Sequence, residues 1–153
     1  MHLILPGLYV GSMFDAKNQA KLDANQITHF VSVHDSTRPF DTRRLYLCIQ
    51  ASDTPRQDLK DYFPMVVEFI HEARSKGGNV LVHCFAGVSR SVTLTAAYLI
   101  VACDVGWSSA LKAIQAVRTT ADPNFGFKKQ LSFFDFEDAE QQRKRLRAKE
   151  QTS

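Results

Sequence analysis

The chain is short of cysteine, and its few cysteines are scattered. Cys48, Cys84 and Cys103 form no Cys-x-x-Cys pair and are odd in number, which argues against a zinc knuckle and a secreted disulfide framework. Any thiol chemistry should rest on one sulfur in a reducing compartment, so the expected location is the cytoplasm, with the nucleus as a second site. Seven Gly and five Pro among 153 residues are too few for a fibrous or disordered chain. No apolar run approaches the roughly 18 residues that a spanning helix needs. The apolar stretch before Gly7 is too short for a secretory signal. With His2 where N-myristoylation needs Gly, no lipid anchor is expected on the chain as it stands. The net charge of +3 is mild; it favours anionic partners slightly and gives no argument for nucleic acid. His29, His34, His71 and His83 lack ligand spacing with carboxylates or thiols, so no metal centre is expected.

What is present is an alternation of strand-like and helix-like segments. Residues 8–10, 27–33, 44–49 and 79–83 read as strands: β-branched, alternating or continuously apolar, and bounded by turn residues. Residues 16–24, with Asp15 as N-cap, and 58–74, 89–102, 108–117 and 125 to about 149 carry helical spacing. The reading is one α/β domain over 1–153, with a core at about 4–140 and a basic helical tail at about 141–153. The crossover helix between residues 44–49 and 79–83 makes those two strands parallel and close in the sheet. Ligands of such sheets gather beyond the carboxyl ends of the strands. That edge would carry three loops: residues 34–36, 52–54 and 84–90.

The third loop carries the most information. Val82-His83-Cys84-Phe85-Ala86-Gly87-Val88-Ser89-Arg90-Ser91 runs from a buried strand into the first turn of a helix. Backbone N–H groups of a loop entering a helix N-terminus form an anion cradle. Gly87 allows a tight turn, and Arg90 presents a planar fork matched to two phosphate oxygens. Cys84 sits in this positive field, which favours thiolate. A thiolate in a phosphate-shaped nest is a nucleophile aimed at phosphorus. Transfer also needs a proton for the departing oxygen. Asp35, Asp53, Asp58 and Asp61 are the candidates. Asp58 and Asp61 fall where acids usually serve a helix dipole, whereas Asp53 follows a strand on the correct edge, in a loop stiffened by Pro55.

His-Cys-x-x-Gly-x-x-Arg-Ser resembles the signature loop of the protein tyrosine phosphatase superfamily. The likeness covers most of the chain: Leu5 through Gly11, Thr28 through His34, Ala51-Ser52-Asp53-Thr54-Pro55, and Ser91 through Tyr98 are similar to small atypical dual-specificity phosphatases. The subgroup associated with JNK-pathway signalling is the most alike. The resemblance implies a phosphatase fold, with a mostly parallel sheet of about five strands flanked by helices, and no cofactor. It implies that Cys84 forms a phosphocysteine and that Arg90 holds the equatorial oxygens. Phe85, Ala86, Gly87, Val88 and Ser89 would complete the phosphate cradle. Ser91 would assist the thiolate as leaving group, and Asp53, 31 residues before Cys84, would be the general acid. His83 and Asn124 would support the loops. Where the family has Asn-Pro-Asn this chain has Asp122-Pro123-Asn124, and Asp122 reads as a helix-entry cap. Substrates would be phosphoproteins carrying phosphotyrosine, with phosphoserine and phosphothreonine besides, including MAP-kinase-pathway components.

Other classes are weighed against this. Low-molecular-weight phosphatases and arsenate reductases place the acid after the cysteine, the reverse of the order here. Phosphoinositide or RNA 5′-phosphate specificity would put extra cations between Cys84 and Arg90, where Phe85, Ala86, Val88 and Ser89 are uncharged. A non-catalytic phospho-binding scaffold would have no need for Cys84, Arg90 and Asp53 together. Outside the site, Phe125, Phe127, Leu131, Phe133, Phe134 and Phe136 are spaced for packing, and Trp107 reads as a plug between helices. The basic run at residues 143–149 reads as a solvated tail suited to a helix C-terminus, with an import or anionic-lipid patch as the other use. Arg38, Arg43, Arg44 and Arg56 lie near the pocket edge and could attract charged phosphoproteins. Cys48 and Cys103 read as small buried residues, with a redox partnership to Cys84 as the other option.

Overall fold

In the computed structural model, which describes residues 1–152, five strands form one sheet in the order β1-β2-β5-β3-β4. The strands are β1 (His2–Leu5), β2 (Leu8–Gly11), β3 (His29–His34), β4 (Leu45–Gln50) and β5 (Val80–His83). Only the β1–β2 pair is antiparallel; β2–β5, β5–β3 and β3–β4 are parallel. β1 does not figure in the sequence reading. Pro6-Gly7 supplies its hairpin turn, with Gly7 at φ +82. The fully buried Val-Leu-Val-His of β5 lies at the centre, between β2 and β3, as a strand covered on both faces requires. β4 and β5 are parallel with β3 between them, so the carboxyl ends of β3, β4 and β5 open on one edge.

The helices are α1 (Met13–Ala16), α2 (Gln19–Ala24), α3 (Phe63–Ser75), α4 (Arg90–Ala102), α5 (Trp107–Val117), α6 (Phe125–Glu137) and α7 (Ala139–Thr152). A single 3-10 turn at Lys60–Tyr62 precedes α3. The sequence reading of residues 16–24 as one helix capped by Asp15 is corrected. There are two short helices, capped by Ser12 and Asn18, and Asp15 is the reciprocal member of the Ser12 capping box. The long helix read from 125 to about 149 divides at Asp138 into α6 and α7.

α4 is buried from Arg90 to Val101 and packs against α3, α5, α6 and α7, so an all-round apolar sequence is what its place demands. Tyr98 is wholly buried in it, and its hydroxyl meets Arg74 Nη1 at 2.8 Å and His71 Nδ1 at 3.1 Å. Of the aromatic cluster, Phe127, Leu131 and Phe134 form the buried stripe at i, i+4, i+7. Phe125, Phe133 and Phe136 are exposed, contrary to the packing expected of them, because they fall on the opposite face; Lys60 and Lys129 lie over the Phe133 ring. Trp107 is half-buried against the core, and its backbone N–H donates to Asp135 Oδ2.

The basic run is docked on one side only: Lys144, Arg145, Arg147 and Lys149 are exposed, while Arg143 and Leu146 are held against the body. Leu146 is only 5% exposed, Arg143 donates to the Ile100 carbonyl and pairs with Asp104, and Arg145 pairs with Glu68. α7 therefore docks by two buried apolar residues, Ala139 and Leu146, and a set of ion pairs.

Candidate active site

Three loops meet at one side chain. Arg90, buried at the first turn of α4, donates from Nη1 to the Ala51 carbonyl at 3.0 Å and to Asp35 Oδ2 at 3.3 Å. Ala51 follows β4 and Asp35 follows β3, so this one nitrogen ties both loops to the cysteine loop. The same clamp leaves Nε buried with no protein partner, a donor available to an acceptor in the cradle. Asp35, a candidate acid in the sequence, is thus engaged as the partner of Arg90. Asp58 accepts the Asp61 N–H at 3.4 Å at the entry to the 3-10 turn, serving that turn. Asp61 is held above the usual carboxylate range by its contact with Asp58.

Cys84 is 2% exposed. Its Sγ receives the Gly87 N–H at 3.3 Å and lies 3.1 Å from the Ser91 hydroxyl. His83, directly before it, donates from Nδ1 to the Cys84 carbonyl at 3.3 Å. Burial pushes the His83 imidazole down to about 4, so it is neutral at physiological pH and braces the backbone without adding charge.

What holds the loop open toward an anion lies on its outer side. The Phe85 carbonyl accepts from Met13 N–H at 2.9 Å, and the Val88 carbonyl from Asp122 N–H at 2.8 Å. The Ala86 and Gly87 carbonyls accept from Arg118 Nη2 at 3.2 Å and Nε at 2.7 Å. With four successive carbonyls drawn outward, the intervening N–H groups are free to face the cradle. Gly87 is needed at its position: its φ is +71, and a Cβ there would lie 2.4 Å from Arg118 Nη2 and 2.7 Å from the Gly11 carbonyl. Sequence reasoning missed Arg118. It lies 31 residues beyond Gly87, and only its place among apolar residues at the end of α5 distinguishes it from a surface cation.

The Asp53 loop is fastened from α6. Asn124 caps that helix through Oδ1, donates from Nδ2 to Asp53 Oδ1 at 2.9 Å, and gives its N–H to Ser89 Oγ at 3.0 Å. Asn124, not Asp122, is therefore the cap. The Asp122 side chain turns to Lys128, so the loop contact uses only its main chain and is indifferent to Asp in place of Asn. Gln130 accepts the N–H groups of Leu59 and Lys60 and donates to the Gln57 carbonyl. Gly126 lets Pro55 seat directly on α6; a Cβ there would lie 2.1 Å from the Pro55 carbonyl oxygen. Neither Gln130 nor Gly126 carried a signal in the sequence, because each acts through contacts formed only when the loop folds back.

The structure thus brings Cys84, Arg90, Ser91, Asp53, His83, Asn124 and the loop 85–89 into one site. It leaves Cys103 outside, exposed at the C-terminus of α4 and, by the length of that 13-residue helix, about 20 Å away. Cys48 is half-buried in β4. No cluster of three or more metal-ligating side chains occurs among the described residues.

Residues 8–137 match the catalytic domain of dual specificity phosphatases. The chain belongs to that family. It is 48% identical over 147 residues to human dual specificity protein phosphatase 22, covering 96% of this chain and 80% of that protein. Mouse dual specificity protein phosphatase 15 is 45% identical over 146 residues, covering 95% and 62%. The crystal structure of DUSP15 superposes with a TM-score of 0.93 at 42% identity, covering 95% of this chain and 94% of that one. The human tyrosine phosphatase-like serine/threonine/tyrosine-interacting protein superposes with a TM-score of 0.83 at 32% identity, covering 88% and 95%. The five-stranded, mostly parallel sheet flanked by helices is that of these phosphatases, and the chain is a protein phosphatase of the dual-specificity class.

Proposed function

We propose that this phosphatase acts through Cys84, Arg90, Asp53 and Ser91 on phosphotyrosine, and on phosphoserine and phosphothreonine, in cytoplasmic and nuclear signalling proteins, components of MAP-kinase pathways among them. In the first step Sγ of Cys84 attacks phosphorus, the ester P–O bond breaks, and Asp53 gives its proton to the departing oxygen. Arg90 Nε and Nη2 and the loop N–H groups take up the equatorial oxygens, where charge is greatest in the transition state. In the second step Asp53 accepts a proton from water as its oxygen bonds to phosphorus. The P–S bond breaks, inorganic phosphate leaves, and the Ser91 hydroxyl donates to the released thiolate. No resident metal or organic group enters either step.

The observation that carries the residue assignment is the buried, unpartnered Nε of Arg90, set in the same loop as a sulfur with two hydrogen-bonding neighbours. The likeness to a tyrosine phosphatase-like interacting protein makes a non-catalytic binding role the second reading. The presence of nucleophile, acid and arginine together favours turnover. Substrate trapping is the test. Cys84→Ser or Asp53→Ala protein should retain phosphoproteins from a lysate and release them to excess vanadate. Retention of the same proteins by Arg90→Ala would place recognition elsewhere.

A further inference from the structure

Beside the phosphate cradle, on the far side of Phe85, the surface opens into a cavity of about 480 Å³. Met13, Phe40 and Phe85 supply apolar wall, His34 sits 5.9 Å from the Phe85 ring, and Lys17 and Arg38 stand on the lining as its two cations. No carboxylate lines it. The acids nearest in sequence are already engaged: Asp35 with Arg90, and Asp15 with Ser12 and the Met1 amino group. Of the four arginines that the sequence placed near the pocket edge, Arg43 and Arg44 are consumed by Asp41, Asp23 and Gln19. Arg44 further binds the Ile27 carbonyl. Arg38 and Lys17 have no such partner among the described residues, and both are exposed. Arg56 likewise shows no such partner among the described residues but does not line the cavity, so Lys17 and Arg38 are the cations left to it.

We propose that this cavity is a substrate subsite that receives an acidic side chain flanking the phosphorylated residue. The side chain's aliphatic part would lie on Met13, Phe40 and Phe85, with its carboxylate between Lys17 and Arg38. The occupant is fixed by charge complementarity: an apolar trough with two unshared cations and no anion of its own suits an aliphatic stem ending in a carboxylate. The phosphoryl group of the same peptide reaches the cradle across Phe85, which belongs to both sites. This inference rests on the phosphoprotein reading above and names the peptide chemistry that reading leaves open.

The test uses phosphotyrosyl peptides in which Glu, Gln or Lys is placed singly at each position flanking the phosphorylated residue. Affinity is measured on Cys84→Ser protein, with and without Lys17→Met and Arg38→Met, and turnover of a small aryl phosphate is measured on protein with Cys84 intact. At one flanking position Glu should bind about fivefold tighter than Gln, and Lys weaker than either. That preference should shrink at high salt and vanish in the double Met variant, whose aryl phosphate turnover is unchanged. A Glu preference that survives both Met substitutions, or no preference at any position, overturns the subsite. Because the peptides are read by binding, loss of aryl phosphate turnover in the parent protein would count against the catalytic reading alone.

Discussion

The side-chain amide of Asn124 donates to Oδ1 of Asp53 at 2.9 Å, across 71 residues of sequence. The same residue caps α6 and holds Ser89 of the cysteine loop, so the Asp53 loop and the cysteine loop share one fastening. Asp53→Ala should slow turnover by about 10²–10⁴. Asn124→Ala should cost roughly tenfold in kcat, the worth of one hydrogen bond to a charged group, and about 1 kcal/mol of stability through the lost cap. Steady-state kinetics and denaturant melts separate the two effects. An Asn124→Ala enzyme with normal kcat would show that Asp53 needs no such hold.

Cys84→Ser should abolish hydrolysis of a small aryl phosphate while leaving oxyanion binding at the cradle, since Arg90 and the loop N–H groups remain. Calorimetry with vanadate or phosphate checks the second half. Residual turnover in this variant would sink the nucleophile assignment.

Arg118→Met should release the Ala86 and Gly87 carbonyls and leave at least one buried and unpaired, at about 1–3 kcal/mol. Loop amides would then lose their common direction, so kcat and phosphate affinity should fall together. Arg118→Lys, which can reach one carbonyl but not fork between two, should recover part of both. A destabilised variant with unaltered phosphate affinity would mark Arg118 as purely structural.

Acid should weaken the fold in two stages. His83 is held at about 4 against 6.5 when unfolded, so the unfolded chain binds the proton first. Stability present above pH 6.5 is lost as pH falls toward 4, by up to about 3 kcal/mol. Asp41, held at about 2 against 3.8 by hydrogen bonds from Arg43 and Arg44 despite its burial, contributes stability above 3.8. That contribution is lost as pH falls through 2. Melting temperature across this range, with NMR titration of the His83 imidazole, checks both. A His83 that titrates near 6.5 in the folded protein would remove the first stage.

Chelation should leave turnover unchanged, because Arg90 and the loop amides supply the positive charge that a metal supplies in other phosphatases. Loss of activity with EDTA, restored by a divalent cation, would reopen the mechanism.

Much of this was legible in the order of residues. His83 through Ser91 are contiguous, so their chemistry is written in one line, and the strand before and helix after follow from local pattern. Asp53 could be placed on the right edge because a crossover makes its two strands parallel, so that their carboxyl ends share one edge. The helix break at Asp138 and the exposure of Phe125, Phe133 and Phe136 were not legible, since helical spacing records periodicity and not which face is covered. The basic run looked solvated because its partners, Asp104 and Glu68, lie far off in the chain. Local sequence determined the cysteine–arginine loop and the strand–helix rhythm, both of which depend on near neighbours and backbone propensity. Tertiary structure alone decided that Arg118 draws the loop carbonyls outward, that Asn124 ties the Asp53 loop to the cysteine loop, and that Arg90 joins three loops. Those are directional contacts between distant segments, whose geometry exists only after the sheet and helices have packed.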